Sequence, residues 1–210
     1  MITRLGETAV LITFSHTISW AIGVRAREAA RCIRSMGLDS ITDVVPAYTT
    51  LAVYFDGTRT SFTSVVNAIA PIIGDHREQH ETPSALIEIP VRYEGPDVAE
   101  VARLTGLTPE EVIERHSSRT YRAYACGFAP GFAYLGDLDA SLVLPRRATP
   151  RVRVPPGSVA IAGAQTAVYP LQTPGGWHLL GTTEVAMFDT NRETPSLIRA
   201  GDTVRFIRID

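Results

Sequence analysis

Lysine is absent from this sequence of 210 residues, in which arginine supplies all 20 basic side chains. That absence excludes several chemistries, because a Walker-type phosphate loop, a Schiff base and a biotinyl attachment each require a lysine amine. The chain therefore does not bind a nucleotide through a P-loop.

Cysteine is almost as scarce, with Cys32 and Cys126 the only two. Two thiols this far apart in sequence make neither a zinc site nor a redox motif, so we expect both to be reduced and no metal to be bound. Cys32 lies on the apolar face of a predicted helix, where a buried thiol is usual. Cys126 precedes a glycine-rich loop and is a weak candidate nucleophile, since no histidine neighbours it in the sequence.

The sequence also lacks an excess of positive charge and any long apolar run. A formal net charge of -2 argues against a nucleic-acid-binding protein, which would normally present a basic face. The longest apolar segments are too short to cross a bilayer, and no basic, apolar leader for export is evident. We therefore expect no membrane association and a cytoplasmic location.

What is present indicates an α+β protein of two domains. Apolar periodicity predicts a strand, a helix, two strands, a helix and a strand, at residues 9–14, 19–35, 43–48, 51–55, 62–73 and 86–91. This order is typical of a ferredoxin-like, split βαβ domain. Charge, histidine and proline replace apolar periodicity in residues 74–84, so we place the domains at 1–84 and 85–210.

The second domain is predicted to be a β-barrel preceded by two short helices. The helices are expected at residues 97–104 and 108–117, the second with Thr108 and Glu111 in a capping box. Many short strands follow, as in a compact barrel. The best strand candidates are residues 121–125, 158–162, 166–169, 178–181, 185–188 and 204–209.

Residues 126–183 are the most informative part of the chain, because glycine, proline, aromatic and arginine residues are interleaved there. Glycine and proline build stiff, shaped loops, and such loops rich in arginine suit recognition of a small anion. Ordinary hairpin turns of a barrel would also contain glycine and proline, which is the alternative interpretation. The density of the pattern favours a functional surface.

Several motifs in this region resemble those of the family of 5-oxoprolinase B subunits, also called KipI-like or allophanate hydrolase subunit 1. The similarity extends from Gly6-Glu7-Thr8 to Gly201-Asp202-Thr203 and covers nearly the whole chain. Its most specific parts are His116-Ser117-Ser118, Gly127-Phe128, Pro130-Gly131-Phe132, Tyr134-Leu135-Gly136, Pro145-Arg146-Arg147, Pro150-Arg151, Val154-Pro155, Gly157-Ser158-Val159, Tyr169-Pro170 and Pro174-Gly175-Gly176-Trp177.

The resemblance implies a ferredoxin-like domain followed by a cyclophilin-like β-barrel. It also implies a protein that acts with 5-oxoprolinase subunits C and A to open the lactam 5-oxo-L-proline to L-glutamate at the expense of ATP. A family member that inhibits a sensor histidine kinase provides an alternative function, that of a binding module. A role related to carboxyl transfer or allophanate is a third.

The resemblance and the residue chemistry together predict a substrate site. Guanidinium groups of arginines would bind a carboxylate or phosphoryl oxygen. Backbone amides of glycines would stabilise the negative charge that develops during the reaction, and aromatic rings would exclude water. His178 is the candidate for proton transfer. Thr182 stands where relatives often have arginine or histidine, which puts the specificity in doubt. The expected substrate-binding residues are Phe128, Phe132, Tyr134, Arg146, Arg147, Arg151, Gln165, Tyr169, Pro174, Gly175, Gly176 and Trp177.

Overall fold

The computed structural model describes residues 1–74 and 86–210. Contacts between Cα atoms divide the chain into two units, Met1–Pro83 and Ser84–Asp210. The predicted domain boundary at residue 84 lies outside the described residues.

The described part of the first unit is a four-stranded antiparallel sheet with two helices. The sheet has the order β1-β2-β4-β3. Ser19 caps the first helix by accepting a hydrogen bond from the Ile22 amide. The elements are β1 (Ile2–Arg4), β2 (Ala9–Thr13), α1 (Trp20–Ser35), β3 (Ile41–Ala47), β4 (Thr50–Phe55) and α2 (Phe62–Gly74).

A core forms where both helices meet the sheet. Alternate residues of the strands, such as Val10 and Ile12 of β2, are fully buried against Ile33 of α1 and Ile69 of α2. Burial of each such side chain stabilises the fold by roughly 1.5–3 kcal/mol.

The second unit contains most of the strands and both short helices that the sequence predicts. In α4, Thr108 and Glu111 form the expected capping box. The elements are β5 (Leu86–Val91), α3 (Val98–Thr105), α4 (Pro109–Ser117), β6 (Thr120–Cys126), β7 (Ala133–Gly136), β8 (Arg151–Val154), β9 (Ser158–Ala162), β10 (Gln165–Val168), β11 (Thr173–Gly175), β12 (His178–Thr182) and β13 (Thr203–Arg208).

Seven of these strands make a sheet that nearly closes into a barrel. Its order is β12-β9-β10-β7-β6-β13-β5. Just beyond β5, Arg92 and Thr182 exchange two main-chain hydrogen bonds of 2.9 and 2.8 Å, which brings the two edges of the sheet together. A separate two-stranded sheet, β11-β8, lies outside this order.

Strand β9 shows how the sheet is buried on both faces. Val159 and Ile161 belong to the main core, whereas Ala160 and Ala162 belong to a second cluster that includes Val154 of β8 and Trp177. A strand covered on both sides has a continuous apolar sequence instead of an alternating one, and the sequence Ser-Val-Ala-Ile-Ala of β9 follows this rule.

The structure corrects the expected place of strand 86–91. The sequence pattern predicts that it completes the split βαβ unit, but β5 pairs in parallel with β13, with Ile89 opposite Phe206. In the first sheet, the place next to β2 at the edge is taken by β1. Periodicity predicts a strand but not its partner, so the ferredoxin-like arrangement is not confirmed.

Two further differences concern short segments. Residues 185–188 do not form the predicted strand; Phe188 makes only an isolated bridge to Ser196. Four strands that periodicity does not predict are each three or four residues long, which is too short for a clear alternating pattern: β1, β7, β8 and β11. Within residues 1–74 and 86–210, no helix has the length and apolar character needed to cross a membrane.

Candidate functional site

The loop before β8, together with β8 itself, carries arginines predicted to bind an anion. The main-chain N–H of Arg147 donates to the carbonyl of Gly176 at 2.8 Å. Arg151 begins β8 and lies opposite Gly175 of β11. The fold therefore brings the predicted arginines and the glycine pair together, although they are 24 or more positions apart in sequence.

Both guanidinium groups meet at a carboxylate that the sequence analysis did not single out, that of Asp97. Arg147 Nη1 lies 3.0 Å and Arg151 Nη2 lies 2.6 Å from Asp97 Oδ1. The amide of Leu179 donates to Asp97 Oδ2 at 2.7 Å. The Asp97 side chain is 4% exposed and each arginine side chain 25%. This is a partly enclosed ion cluster.

The pKa of Asp97 is set by opposing effects. Burial on its own would raise this pKa, but the hydrogen bonds from Arg151 and the Leu179 amide and the charges of Arg151 and Arg147 lower it below the ordinary value. Asp97 is therefore ionised at neutral pH.

Arg147 is shared between two carboxylates. Besides Asp97, its Nη1 contacts Glu100 Oε2 at 2.6 Å. Glu100 belongs to α3 and is 41% exposed, so this second bond competes with water. Helix α3 thus supplies one carboxylate at its start and another one turn later.

A cavity of about 400 Å³ lies beside Arg147. Its volume falls within the roughly 300–1,000 Å³ typical of small-molecule sites. Its lining combines apolar side chains with charged and polar ones. The lining residues are Glu100, Leu104, Leu144, Pro145, Arg146, Arg147, Ala148, Thr149 and His178.

Three buried nitrogen atoms in this region have no hydrogen-bond partner within residues 1–74 and 86–210: Arg147 Nε, Arg151 Nη1 and His178 Nδ1. Buried polar groups in folded proteins are nearly always paired. The cluster therefore retains hydrogen-bonding capacity after its internal contacts are made. Arg146, the third predicted arginine, is exposed at the cavity.

His178 begins β12 and is 4% exposed. Its Nε2 lies 3.0 Å from the carbonyl oxygen of Pro145, which can only accept, so Nε2 carries a proton and donates it to this bond. The ring is thus oriented by the loop that carries Arg146 and Arg147. Its predicted role in proton transfer requires Nδ1 to reach a substrate, and that role stays a prediction.

The aromatic residues form a cluster around Phe132. Its ring centroid lies 4.9 Å from that of Tyr134, 5.5 Å from Tyr169 and 5.8 Å from Trp177, in edge-to-face geometry that suits aromatic quadrupoles. Phe132, Tyr169 and Trp177 are at most 5% exposed and belong to a buried core cluster. Their contact with a substrate stays a prediction, since packing alone explains their burial.

Gly175 is required by the same cluster. A Cβ atom at this position would lie 2.2 Å from the Tyr169 hydroxyl oxygen, so any larger residue would displace the ring or the strand. Gly175 thus has a structural role. The stabilisation of negative charge by the Gly175 and Gly176 amides stays a prediction.

The remaining predicted substrate-binding residues differ in exposure. Phe128 is 63% exposed, with a φ of 74° that is unusual for a bulky residue, and its ring contacts Phe132. Pro174 is exposed on β11, and Gln165 is partly buried at the start of β10. Thr182 is exposed at the end of β12, where its main chain pairs with Arg92.

His116, from one of the shared motifs, and Cys126, the weak candidate nucleophile, have environments that explain them structurally. His116 is fully buried, with Nδ1 2.7 Å from the Tyr93 hydroxyl and Nε2 2.8 Å from Thr166 Oγ1, and burial lowers its pKa to about 3. Burial also raises the pKa of Cys126 to about 11, so its thiol is protonated at neutral pH and is a poor nucleophile.

Fold and site together define an α+β protein whose nearly closed, barrel-like sheet carries an arginine-rich cavity. The chain belongs to the family described as the carboxyltransferase domain, subdomain C and D, whose model matches residues 1–198. It is 39% identical to the 5-oxoprolinase B subunit of Bacillus subtilis, over 99% of this chain and 92% of that protein. With the 5-oxoprolinase B subunit of Escherichia coli O157:H7 it shares 41% identity, over 97% and 93% of the two chains. The family resemblance found in the motifs is thereby confirmed.

A crystal structure of TTHA0988 superimposes with a TM-score of 0.86 at 38% identity. The match covers all of this chain but 40% of the TTHA0988 chain. A fold similar to that of this chain thus recurs within a longer polypeptide.

Proposed function

We propose that this chain is the B subunit of an ATP-dependent 5-oxoprolinase, which hydrolyses 5-oxo-L-proline to L-glutamate. The observation that carries the proposal is the identity of 39–41% with two proteins of that name over nearly the full length of each chain. Such a protein acts in a complex, and we assign 5-oxoprolinase subunits C and A as its partners.

The chemistry explains why ATP is needed. A five-membered lactam is a resonance-stabilised amide, and its carbonyl carbon is a poor electrophile for water. ATP would supply a phosphoryl group to the lactam oxygen, and the carbonyl carbon would then be a better electrophile for water. This chain has no lysine and hence no P-loop lysine for the phosphates of the nucleotide.

The cavity beside Arg147 is the proposed substrate site. Arg146, Arg147 and Arg151 together carry one more charge than Asp97 and Glu100, so the region favours an anion such as the carboxylate of 5-oxoproline. A guanidinium fork can bind a carboxylate through two parallel hydrogen bonds. His178 would transfer a proton at Nδ1, and the aromatic residues would keep the region dry.

The finer fold assignment is part of the proposal. We infer a ferredoxin-like relationship for the first unit, in which β1 takes the place of the closing strand, and a cyclophilin-like barrel for the second. We also expect the complex to be cytoplasmic.

The direct test is release of glutamate from 5-oxo-L-proline and ATP by this chain co-purified with its encoded partner proteins. We expect activity that requires every component, since the relatives are named as subunits. Leaving out one component at a time provides the control. A stable, complete assembly without glutamate release would reject 5-oxoproline as the substrate and favour the alternative of a kinase-binding module.

A further inference from the structure

Asp97 occupies the N-cap position of α3, but its carboxylate does not cap the helix. A capping aspartate would accept from an amide of the first turn. Here the side chain turns away and is directed to β8, β12 and the loop before β8. Its main chain also pairs with β12, because the Asp97 amide donates to the Leu179 carbonyl at 3.1 Å.

Every polar contact of this carboxylate is with a donor. Oδ1 accepts from Arg147 and Arg151, and Oδ2 accepts from the Leu179 amide. An asparagine would place its NH₂ group against one of these donors in either orientation. The position therefore requires a group that only accepts, which is an ionised carboxylate.

The contacts engage Arg147 Nη1 and Arg151 Nη2 and leave other nitrogen atoms of both guanidinium groups without an acceptor in the described residues. Arg147 Nε and Arg151 Nη1 are buried and have no acceptor in the described part of the chain. Arg147 also lines the cavity. An arginine held in this way presents a fixed fork, so a ligand would bind without first ordering a long side chain.

We propose that Asp97 is a positioning residue, which holds Arg147 and Arg151 in the orientation that binds the substrate carboxylate. This inference rests on the function proposed above. Asp97 acts through the arginines and does not touch the substrate. Glu100 contributes to the position of Arg147 from the solvent side.

The first test separates positioning from a structural role by steady-state kinetics of the assembled complex. In 5-oxo-L-proline the carboxylate on C2 takes no part in the bond changes at C5, so its loss of binding affects ground state and transition state alike. We expect Asp97→Asn to raise KM by roughly tenfold to a hundredfold and to leave kcat within about twofold. Asp97→Glu keeps an acceptor-only group and should give a smaller rise in KM.

Asp139→Asn is the matched control, because Asp139 also contacts two arginines, Arg115 and Arg119, and neither of these lines the cavity. Its KM and kcat should equal those of the wild type. A wild-type KM with a reduced kcat for Asp97→Asn would overturn the proposal. A smaller fraction of correctly folded complexes lowers the apparent kcat and leaves KM unchanged, so that result would indicate a structural role.

The second test does not depend on turnover. In the full chain labelled with ¹⁵N-arginine, the guanidinium N–H signals of Arg147 and Arg151, assigned by Arg147→Lys and Arg151→Lys, should exchange slowly with water. They should be lost or shifted in Asp97→Asn and in Asp97→Glu, while the Arg119 signals stay unchanged. Unchanged signals of Arg147 and Arg151 would contradict the positioning role. If the wild-type complex lacks turnover, the proposed function fails, and this measurement still decides whether Asp97 orders the arginines.

Discussion

Asp97 and Asp139 each contact two arginines, yet their surroundings differ. Asp97 is 4% exposed and its arginines 25%, whereas Asp139 is 24% exposed, with Arg115 and Arg119 at 41% and 43%. Water screens the second cluster and competes for its hydrogen bonds. The same residue types therefore make a strong constraint in one place and a weak surface contact in the other.

The two carboxylates also differ in what else they contact. Apart from its two exposed arginines, Asp139 accepts from the amide and hydroxyl of Ser141, two residues away. Asp97 accepts from Leu179, which is 82 residues away. Loss of Asp97 would therefore disturb contacts between separate strands, whereas loss of Asp139 would disturb one turn and two solvent-exposed ion pairs.

The largest expected difference is in global stability. Removal of Asp97 leaves two partly buried guanidinium groups without their shared partner, so Asp97→Ala should lower the free energy of unfolding by about 3–5 kcal/mol. Asp139→Ala should lower it by about 1 kcal/mol. Urea unfolding, followed by Trp177 fluorescence in a Trp20→Phe background, measures both. Equal losses in the two variants would show that burial does not distinguish the clusters.

A smaller effect is expected in the pairwise coupling of each ion pair. A double-mutant cycle of Asp97→Ala with Arg151→Ala should give a coupling free energy of about 1.5–3 kcal/mol, as for charged hydrogen bonds shielded from water. The matching cycle of Asp139→Ala with Arg119→Ala should give less than about 1 kcal/mol. Urea unfolding of the single and double variants yields both values. A coupling free energy for Asp139 and Arg119 as large as that for Asp97 and Arg151 would contradict the difference between the two clusters.

The clusters also show what the sequence could predict. The helix starts at Ser19 and Thr108 were predictable because a cap and its partner lie within three residues of each other. The Asp97 cluster was not predictable, because Asp97 is 50 or more positions from Arg147 and Arg151 in sequence. Asp97 before a helix looks like a capping residue, and nothing local shows that its carboxylate turns toward β8.

The aromatic residues illustrate a second limit. Glycine next to Phe132 and Trp177 predicted the walls of a pocket, and the structure places both rings in a buried cluster. Core packing and ligand contact require the same residue types, so composition alone does not separate them. Strand 86–91 was predicted correctly as a strand, but its pairing with β13 depends on the whole sheet.

The smallest expected effect concerns acid stability. The pKa of Asp97 is lower in the folded chain than the value of about 3.9 expected in the unfolded one. Its charged form therefore stabilises the fold fully above about pH 5, and this contribution is lost as the pH falls through the folded pKa. The difference in unfolding free energy between wild type and Asp97→Asn should shrink below about pH 4, by about 1.4 kcal/mol for each unit by which the pKa is lowered. The pKa of Asp139 is also lowered, mainly by the hydrogen bonds from Ser141. We expect its stabilisation to be lost in the same direction as the pH falls, but by a smaller amount, because solvent screens the site. Urea unfolding from pH 7 to 3 measures both, and a difference for Asp97→Asn that stays constant with pH would show that its carboxylate is not stabilised by the arginines.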